Sequence, residues 1–484
     1  MTERAQNTPE TPVSLTKTPL FLVPEKPEET PFKDGIRVGI DWSEDKQDWA
    51  CIYEDGGHVL ARGRFTETAA SFDQFDAELR RLADLHNEGV LPTVCIETDK
   101  NLTVANLRER GYIVYAVNPL TVARYRSTQA VSRGKSDKSD AALIANILRL
   151  DAHHRPMHNP SDAAVELGVL ARAHQDAVWR IDRNTGEVRS LLRLYYPAAL
   201  HAFDTPKKKQ TKSALATSHL RAVLRHAPTP TRARRVREST WVDVLTTAGR
   251  QRGQEKDAAR LRALFREPAL AQPASKESAY GEMLLGLLTS LDAACKSQQQ
   301  LEVKMVAALY AHPAWPILEG IPGMGEVTAA RILGELGDDP TRFANVRSVR
   351  AYSGTAPITR ASGKSHVVNR RVVKNNRLAH GLYWWSFNAA STPSGKAAYT
   401  HRREVQGDKQ NAALRNIANR LVGCLWHCLS TGEMWDDSSA WRSFYVPAQT
   451  STAEEEPDTD ETLVAAQEAL ALLNEDDDTD MPVL

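Results

Sequence analysis

Four carboxylates in the first third of the chain have the residue types and the spacing to bind metal ions. Asp41 and Glu97 each end a short apolar run, and Asp137 and Asp140 lie one turn apart at the start of an apolar-periodic helix. Mg²⁺ prefers oxygen ligands, and a pair of such ions can activate a hydroxyl and stabilise the leaving oxygen during phosphodiester cleavage. Taken singly, each carboxylate is more often a turn or capping residue. The set of four therefore predicts a two-ion Mg²⁺ site for phosphoryl transfer.

The elements that would position these carboxylates alternate between strands and helices. A strand ending at Asp41 is followed by a predicted hairpin, whose turn at 54–57 contains two glycines. Two later apolar strands are each preceded by a predicted helix. A parallel sheet would bring the ends of these strands to one edge. The later predicted strands are 48–53, 59–65, 93–97 and 113–117, and the predicted helices are 68–86, 102–110 and 141–150.

Four short motifs surround these carboxylates: Gly39-Ile-Asp41-x-Ser43-x-Asp45-Lys46, Ile96-Glu97-Thr98, Val114-Tyr-Ala-Val-Asn-Pro119 and Lys135-Ser-Asp137-x-x-Asp140-Ala141. Together they resemble the N-terminal domain of the DEDD transposases of bacterial insertion sequences. The resemblance implies a RuvC-like, RNase H-type α/β fold in which Asp41, Glu97, Asp137 and Asp140 form the metal-binding tetrad. One departure affects the loop after Glu97, where Thr98 is followed by Asp99 instead of the glycine usual in that family.

Two long helical patterns, at 163–195 and 282–310, flank the middle of the chain. In the second, Leu284, Leu288, Leu291 and Cys295 repeat at the spacing of a short coiled coil. We expect the two helices to form an antiparallel coiled-coil arm within one chain, although the same surfaces could support a dimer.

The segment between these helices is the most basic part of the chain. Residues 207–266 contain sixteen Lys or Arg against four acids. Such an excess of positive charge favours nucleic acid phosphates, without indicating whether the partner is DNA or RNA. The candidate contacts in this basic insertion, at about 204–270, include Lys207, Lys208, Lys209, Arg234, Arg235 and Arg237.

A glycine pair, Gly323 and Gly325, precedes another apolar-periodic helix and predicts a tight turn between two helices. Exposed N–H groups at such a turn suit a phosphate, and the motif resembles the helix-hairpin-helix element of DNA-binding proteins. A turn that only connects two helices fits the same pattern. Both interpretations remain open for this turn.

The C-terminal part carries further motifs: Tyr352-Ser-Gly-Thr-Ala-Pro357, Ala361-Ser-Gly-Lys364 and a basic run at 369–377 before a helix. Their order resembles the C-terminal domain of the same transposase family. The resemblance implies that Ser362 attacks a DNA phosphate, with Ser353 and Ser365 as weaker alternatives. A serine hydroxyl needs activation and nearby positive charge for this reaction. The cations that could supply that charge or bind nucleic acid are Arg360, Lys364, Arg370, Arg371, Lys374 and Arg377.

Both resemblances in this order imply a DNA transposase or recombinase that forms a phosphoserine intermediate, assembles as homodimers or tetramers and is guided by a structured RNA. Three alternatives remain. A metal-dependent nuclease, such as a junction resolvase, would use Ser362 only structurally. A regulator that binds nucleic acid would need no catalysis. A sugar-kinase-like ATPase shares the strand pattern, but the sequence lacks its second glycine-rich phosphate loop.

Composition limits the class of protein further. The chain has 61 basic and 61 acidic residues, but 451–484 contain twelve acids and no Lys or Arg, so 1–450 carry a net charge of +12. Such a basic body favours polyanions. Scattered cysteines, no long apolar segment and no signal-peptide pattern indicate a reduced, cytoplasmic protein without a membrane span. Cys424, His427 and Cys428 lie on a predicted helix whose apolar neighbours favour packing over a zinc site.

These observations predict five regions. They are a flexible leader at 1–34, a RuvC-like nuclease domain at 35–155, a helical arm at 156–312, a mainly α transposase domain at 313–445 and an acidic disordered tail at 446–484.

Overall fold

The computed structural model describes residues 35–99, 101–129, 137–150, 157–158, 160–203, 212–339, 341–363 and 365–444. At 128–129, 137–139 and 212–213 the description covers the backbone only. The described residues form two compact units, which divide between Asn159 and Pro160. The leader, the acidic tail, Lys364 and the lysines at 207–209 lie outside the described residues.

The N-terminal unit is built on a mixed sheet of five strands: β1 (Ile36–Trp42), β2 (Gln47–Tyr53), β3 (Val59–Phe65), β4 (Thr93–Ile96) and β5 (Val114–Ala116). Their order across the sheet is β3-β2-β1-β4-β5. The first three strands are antiparallel, whereas β4 and β5 run parallel to β1. The bounds of these strands agree with the predicted bounds to within one residue.

Four helices accompany this sheet: α1 (Ala69–His86), α2 (Leu102–Glu109), α3 (Pro119–Gln129) and α4 (Asp137–Leu150). The apolar face of α1 buries Phe72, Phe75 and Leu79 in the core of the unit. Helix α3 has no signal in the sequence, because its apolar residues form no stripe along one helix face. The mixed sheet with helices is consistent with the predicted RNase H-like domain.

The second unit begins with six helices: α5 (Asp162–Tyr195), α6 (Ser218–His226), α7 (Pro230–Arg235), α8 (Glu238–Thr247), α9 (Gln254–Arg266) and α10 (Ala274–Ala311). Helices α5 and α10 pack along each other. They are antiparallel, because His174 contacts Glu302 while Tyr195 contacts Tyr280. Helix α10 begins earlier than predicted, directly after Pro273. Coiled-coil geometry for this helix pair stays a prediction.

The basic insertion is a folded helical module within its described part. Trp241 and Phe265 are buried in a core that also includes Leu284 and Leu288 of α10. Two of the residues predicted as the coiled-coil seam therefore belong to a core that α5 and the module share. The sequence indicated only the charge of this region, and its helices were not predicted.

The remaining elements are α11 (Trp315–Glu319), α12 (Glu326–Leu336), α13 (Val346–Tyr352), β6 (Ile358–Ser362), β7 (Ser365–Asn369), α14 (Asn376–Ala389), α15 (Pro393–Thr400), α16 (Gln410–Thr431) and α17 (Asp437–Trp441). Their shared core includes Trp385, Leu421 and Trp441, together with Leu167 of α5. The described helices include none that is both long and apolar enough to cross a membrane.

Candidate active site

Asp41, near the end of β1, and Glu97, directly after β4, lie at the same level of the N-terminal sheet. The parallel register pairs Ile40 of β1 with Ile96 of β4, and each carboxylate is the next residue along its chain. Both side chains are partly exposed. Burial raises the pKa of the adjacent Cys95 thiol, and the Glu97 charge adds to this shift. The sheet edge therefore offers carboxylate oxygens, with a neutral thiol beneath them.

Helix α4 lies directly on β1 because Gly39 has no side chain. A Cβ at Gly39 would overlap the carbonyl oxygen of Ala141 and the amide nitrogen of Ala145. This backbone contact places the second turn of α4 against β1, the middle strand of the sheet. Asp140, the residue before Ala141, is 2% exposed. The sequence-predicted Asp41, Glu97 and Asp140 therefore belong to adjoining elements, as the strand-end argument expected.

Asp140 has a partner that sequence analysis did not predict. Arg126 of α3 donates hydrogen bonds to both carboxylate oxygens of Asp140, at 2.9 and 2.7 Å. Charge-assisted pairs with this two-pronged geometry are among the stronger polar contacts in proteins. The only sequence signal for Arg126 is its place in a basic run beside the predicted tetrad.

A further carboxylate near the sheet edge is neutralised in the same way. Asp48 of β2 is opposite Asp41 in the antiparallel register. It accepts hydrogen bonds from Nε and Nη2 of Arg64 at 3.1 and 3.0 Å. Asp48 is thus committed to an ion pair with Arg64.

The donor chemistry at this edge fits a hard cation in part. Carboxylates from β1, β4 and α4 are the ligand type that Mg²⁺ takes. However, no three His, Cys, Asp or Glu side chains are grouped to hold a metal ion within the ranges that the structure describes. The side chain of Asp137 lies outside those ranges. A cation that binds Asp140 also competes with the Arg126 guanidinium.

Ser362 lies at the tip of an exposed hairpin in the second unit. It ends β6 and pairs with Ser365 of β7, and Gly363 in the turn has a φ of 55°. Both serines are exposed, and they line a hollow of about 500 Å³ with Arg360. The other alternative, Ser353, is fully buried and contacts Thr355. Accessibility therefore favours Ser362 or Ser365 over Ser353.

Some of the predicted nucleic-acid contacts are exposed, and others form contacts within the protein. Arg235, Arg237, Arg370 and Lys374 are exposed. Arg234 is exposed as well, and it donates to the backbone carbonyl of Glu267. Arg371 donates to the backbone carbonyl of Ala356 at 3.4 Å. Arg377 is committed within the protein, because it donates to Asp176 at 2.6 Å and lies over the ring of Trp179.

The glycine pair has two different surroundings. Gly323 has a φ of 74°, and a Cβ there would come within 2.7 Å of the backbone nitrogen of Ala389. Gly325 precedes α12, and a Cβ on it would meet open space. Close helix packing therefore explains Gly323, whereas only Gly325 leaves its backbone open to a ligand.

Comparison with known proteins assigns the class of this chain. Residues 38–197 match the family model described as a transposase, of the DEDD type found in IS110. Residues 316–401 match the model of the IS116/IS110/IS902 transposases. The first match contains β2 to β5 and β1 from Val38 onward, and the second contains the Ser362 hairpin. The two units thus define a transposase of an insertion element.

Related proteins agree with this class. A protein of Streptomyces coelicolor is named as the mini-circle transposase for IS117. It is 42% identical to this chain, over 85% of this chain and 98% of its own length. The 43.6 kDa protein of insertion element IS110, from the same organism, is 26% identical over 66% of this chain and 80% of its own. The 44.8 kDa protein of IS116 from Streptomyces clavuligerus is 25% identical over 68% of this chain and 79% of its own. The chain belongs to the IS110/IS116/IS902 family of transposases.

Proposed function

We propose that this transposase cleaves and exchanges DNA strands in a Mg²⁺-dependent reaction, with Asp41, Glu97, Asp137 and Asp140 as metal ligands and Ser362 as nucleophile. The supporting observation is the convergence of β1, β4 and α4, which carry three of these carboxylates, in a chain of this family. Bound metal would stabilise charge on the reacting phosphate. The exposure of Ser362 leaves its hydroxyl open to a DNA strand.

The serine step conserves the phosphodiester bond energy. The Oγ of Ser362 attacks the phosphorus, an Oγ–P bond forms, and the bond from phosphorus to the 3′ oxygen breaks. The serine proton leaves to a base, and the departing 3′ oxygen takes up a proton to become a hydroxyl. Attack of another strand's 3′-hydroxyl on the phosphoserine would reverse these changes and release Ser362. Strand exchange follows from this reversal without an added energy source.

A structured guide RNA and a dimer or tetramer complete the proposal. The exposed Arg235 and Arg237 of the helical module support binding to a polyanion. Their positive charge suits RNA and DNA equally, so RNA guidance is tested directly by its requirement in the reaction.

The test uses purified protein, circular junction DNA, Mg²⁺ and RNA transcribed from the flanks of the element. We expect a DNA–protein adduct that survives denaturation and disappears in Ser362→Ala and in Asp41→Ala. Ser365→Ala, altered across the same hairpin, is the matched control and should retain the adduct. Omission of the RNA should abolish it.

Two outcomes would contradict the proposal. Nicked DNA that persists in Ser362→Ala would identify a metal-dependent nuclease in which the serine is structural. DNA binding that is unaffected by Mg²⁺ and never followed by cleavage would indicate a regulator.

A further inference from the structure

A cavity of about 690 Å³ opens among α13, α16 and α17, on residues other than the Ser362 hairpin. Three arginines line it: Arg350, Arg420 and Arg442. Two indole side chains, those of Trp426 and Trp435, also line the cavity. Its volume is in the range of sites for small ligands or a single nucleotide.

Two of these arginines are held in place while their outer nitrogens stay available. Arg350 donates from Nε to the backbone carbonyl of Asn419 at 3.0 Å, and Arg420 donates from Nε to that of Ala440. Within the described residues, no acceptor bonds the terminal nitrogens of these two or the guanidinium of Arg442. A guanidinium that is fixed at Nε and open at its fork is suited to two-pronged phosphate binding.

The backbone of α16 makes room for this arrangement. A Cβ at Gly423 would lie 3.0 Å from Cζ of Arg350, closer than side chains normally approach. Glycine therefore lets the guanidinium lie against the helix. Burial raises the pKa of the neighbouring Cys424 thiol, and the charges of Arg420, Arg350 and Arg442 oppose that shift. The positive charges of all three guanidiniums are therefore close enough to affect the same thiol.

Two carboxylates of the cavity wall have hydrogen-bond partners within the protein. Asp436 accepts hydrogen bonds from the backbone nitrogens of Ser438 and Ser439, each at 3.1 Å. Glu433 lies 3.2 Å from Nε2 of His427. The wall thus carries three guanidiniums against two carboxylates, so its net charge is positive.

We propose that this cavity binds one unpaired nucleotide of a DNA strand, with its phosphate on the three arginines and its base against an indole. Arginine beside aromatic rings is the usual composition of surfaces that bind single strands. A paired base would present only its edge, whereas an unpaired base can offer its face to Trp426 or Trp435. The choice of DNA rests on the proposed function, since the family's reaction acts on DNA.

The test measures binding of a labelled single-stranded DNA of about eight nucleotides to the full chain, by fluorescence anisotropy at several salt concentrations. Arg420→Gln and Arg442→Gln should each weaken binding about tenfold. Each should also flatten the dependence of log K on log salt by ~0.7 for every phosphate that is no longer neutralised. Arg347→Gln is the matched control, because Arg347 is exposed on the same helix as Arg350 and outside the cavity.

A second experiment tests recognition of the base. A DNA that lacks the bases should bind wild type more weakly, and Trp426→Leu should reduce that difference. Equal decreases in affinity in Arg347→Gln and Arg442→Gln would overturn the site, because they would indicate diffuse charge attraction. Unchanged affinity in Arg442→Gln, or tighter binding of RNA of the same sequence, would also overturn it.

The binding readout separates this proposal from the catalytic one. Ser362→Ala should bind the oligonucleotide as wild type does, whether or not it forms the adduct. Failure of the adduct experiment with intact, arginine-dependent binding would overturn the catalytic proposal alone. Loss of the arginine effect with an intact adduct would overturn the cavity alone.

Discussion

Arg126 and Asp140 form a bidentate ion pair that joins α3 to α4 at the edge of the N-terminal sheet. The Asp140 side chain is 3% exposed and the Arg126 side chain is 28% exposed. A carboxylate so deeply buried requires a compensating charge. Arg126 supplies that charge in this structure, and a bound cation could supply it instead.

Arg126→Gln should therefore destabilise the protein in a metal-dependent way. Without Mg²⁺ we expect a decrease of about 1–3 kcal/mol in the free energy of unfolding, because one partner of a partly buried pair is removed. Saturating Mg²⁺ should recover part of this decrease if Asp140 is a ligand. The measurement is thermal or urea unfolding with and without Mg²⁺. The same decrease under both conditions would argue against Asp140 as a ligand.

Gly323 and Gly325 provide a matched pair at one turn. Gly323→Ala should lower the free energy of unfolding by about 2–4 kcal/mol, since the added Cβ meets the backbone of Ala389 and the φ is positive. Gly325→Ala should change it by less than about 1 kcal/mol. Urea unfolding of both variants checks this difference. Weaker DNA binding in Gly325→Ala, at unchanged stability, would support the phosphate interpretation of the turn.

His380 should make the stability of the second unit depend on pH. Trp384 donates to its Nε2 at 3.1 Å, which requires a neutral ring. Burial, aided by the charge of Arg331, lowers the pKa of His380 to about 4. An unfolded histidine titrates near 6.5. Below that pH the unfolded chain binds a proton that the folded chain does not, so this contribution to stability falls as pH decreases from 6.5 towards 4.

His380→Gln removes this titration and keeps an acceptor for Trp384. Between about pH 7.5 and about pH 5, we expect its free energy of unfolding to fall by about 2 kcal/mol less than that of wild type. Urea unfolding at the two pH values measures the difference. His366→Gln, at an exposed position on β7, should behave as wild type. An equal decrease in His380→Gln and wild type would contradict the prediction.

The sequence by itself determined the strands, most helices of the N-terminal unit and the family. These features have local signals: apolar alternation predicts β1 to β5, and short motifs around Asp41, Glu97 and Ser362 carry the family resemblance. The two matched regions confirm that family. The roles of the individual carboxylates and of Ser362 remain predictions for the experiments above.

Only the tertiary structure decided which side chains meet. The Arg126 and Asp140 pair depends on α3, a helix without an apolar stripe, and the packing of α4 depends on the missing side chain of Gly39. Arg350 is on α13, Arg420 is on α16 and Arg442 directly follows α17, so no regular spacing in the sequence brings them together. Local patterns record how each segment folds, whereas such pairings arise when the segments pack against each other.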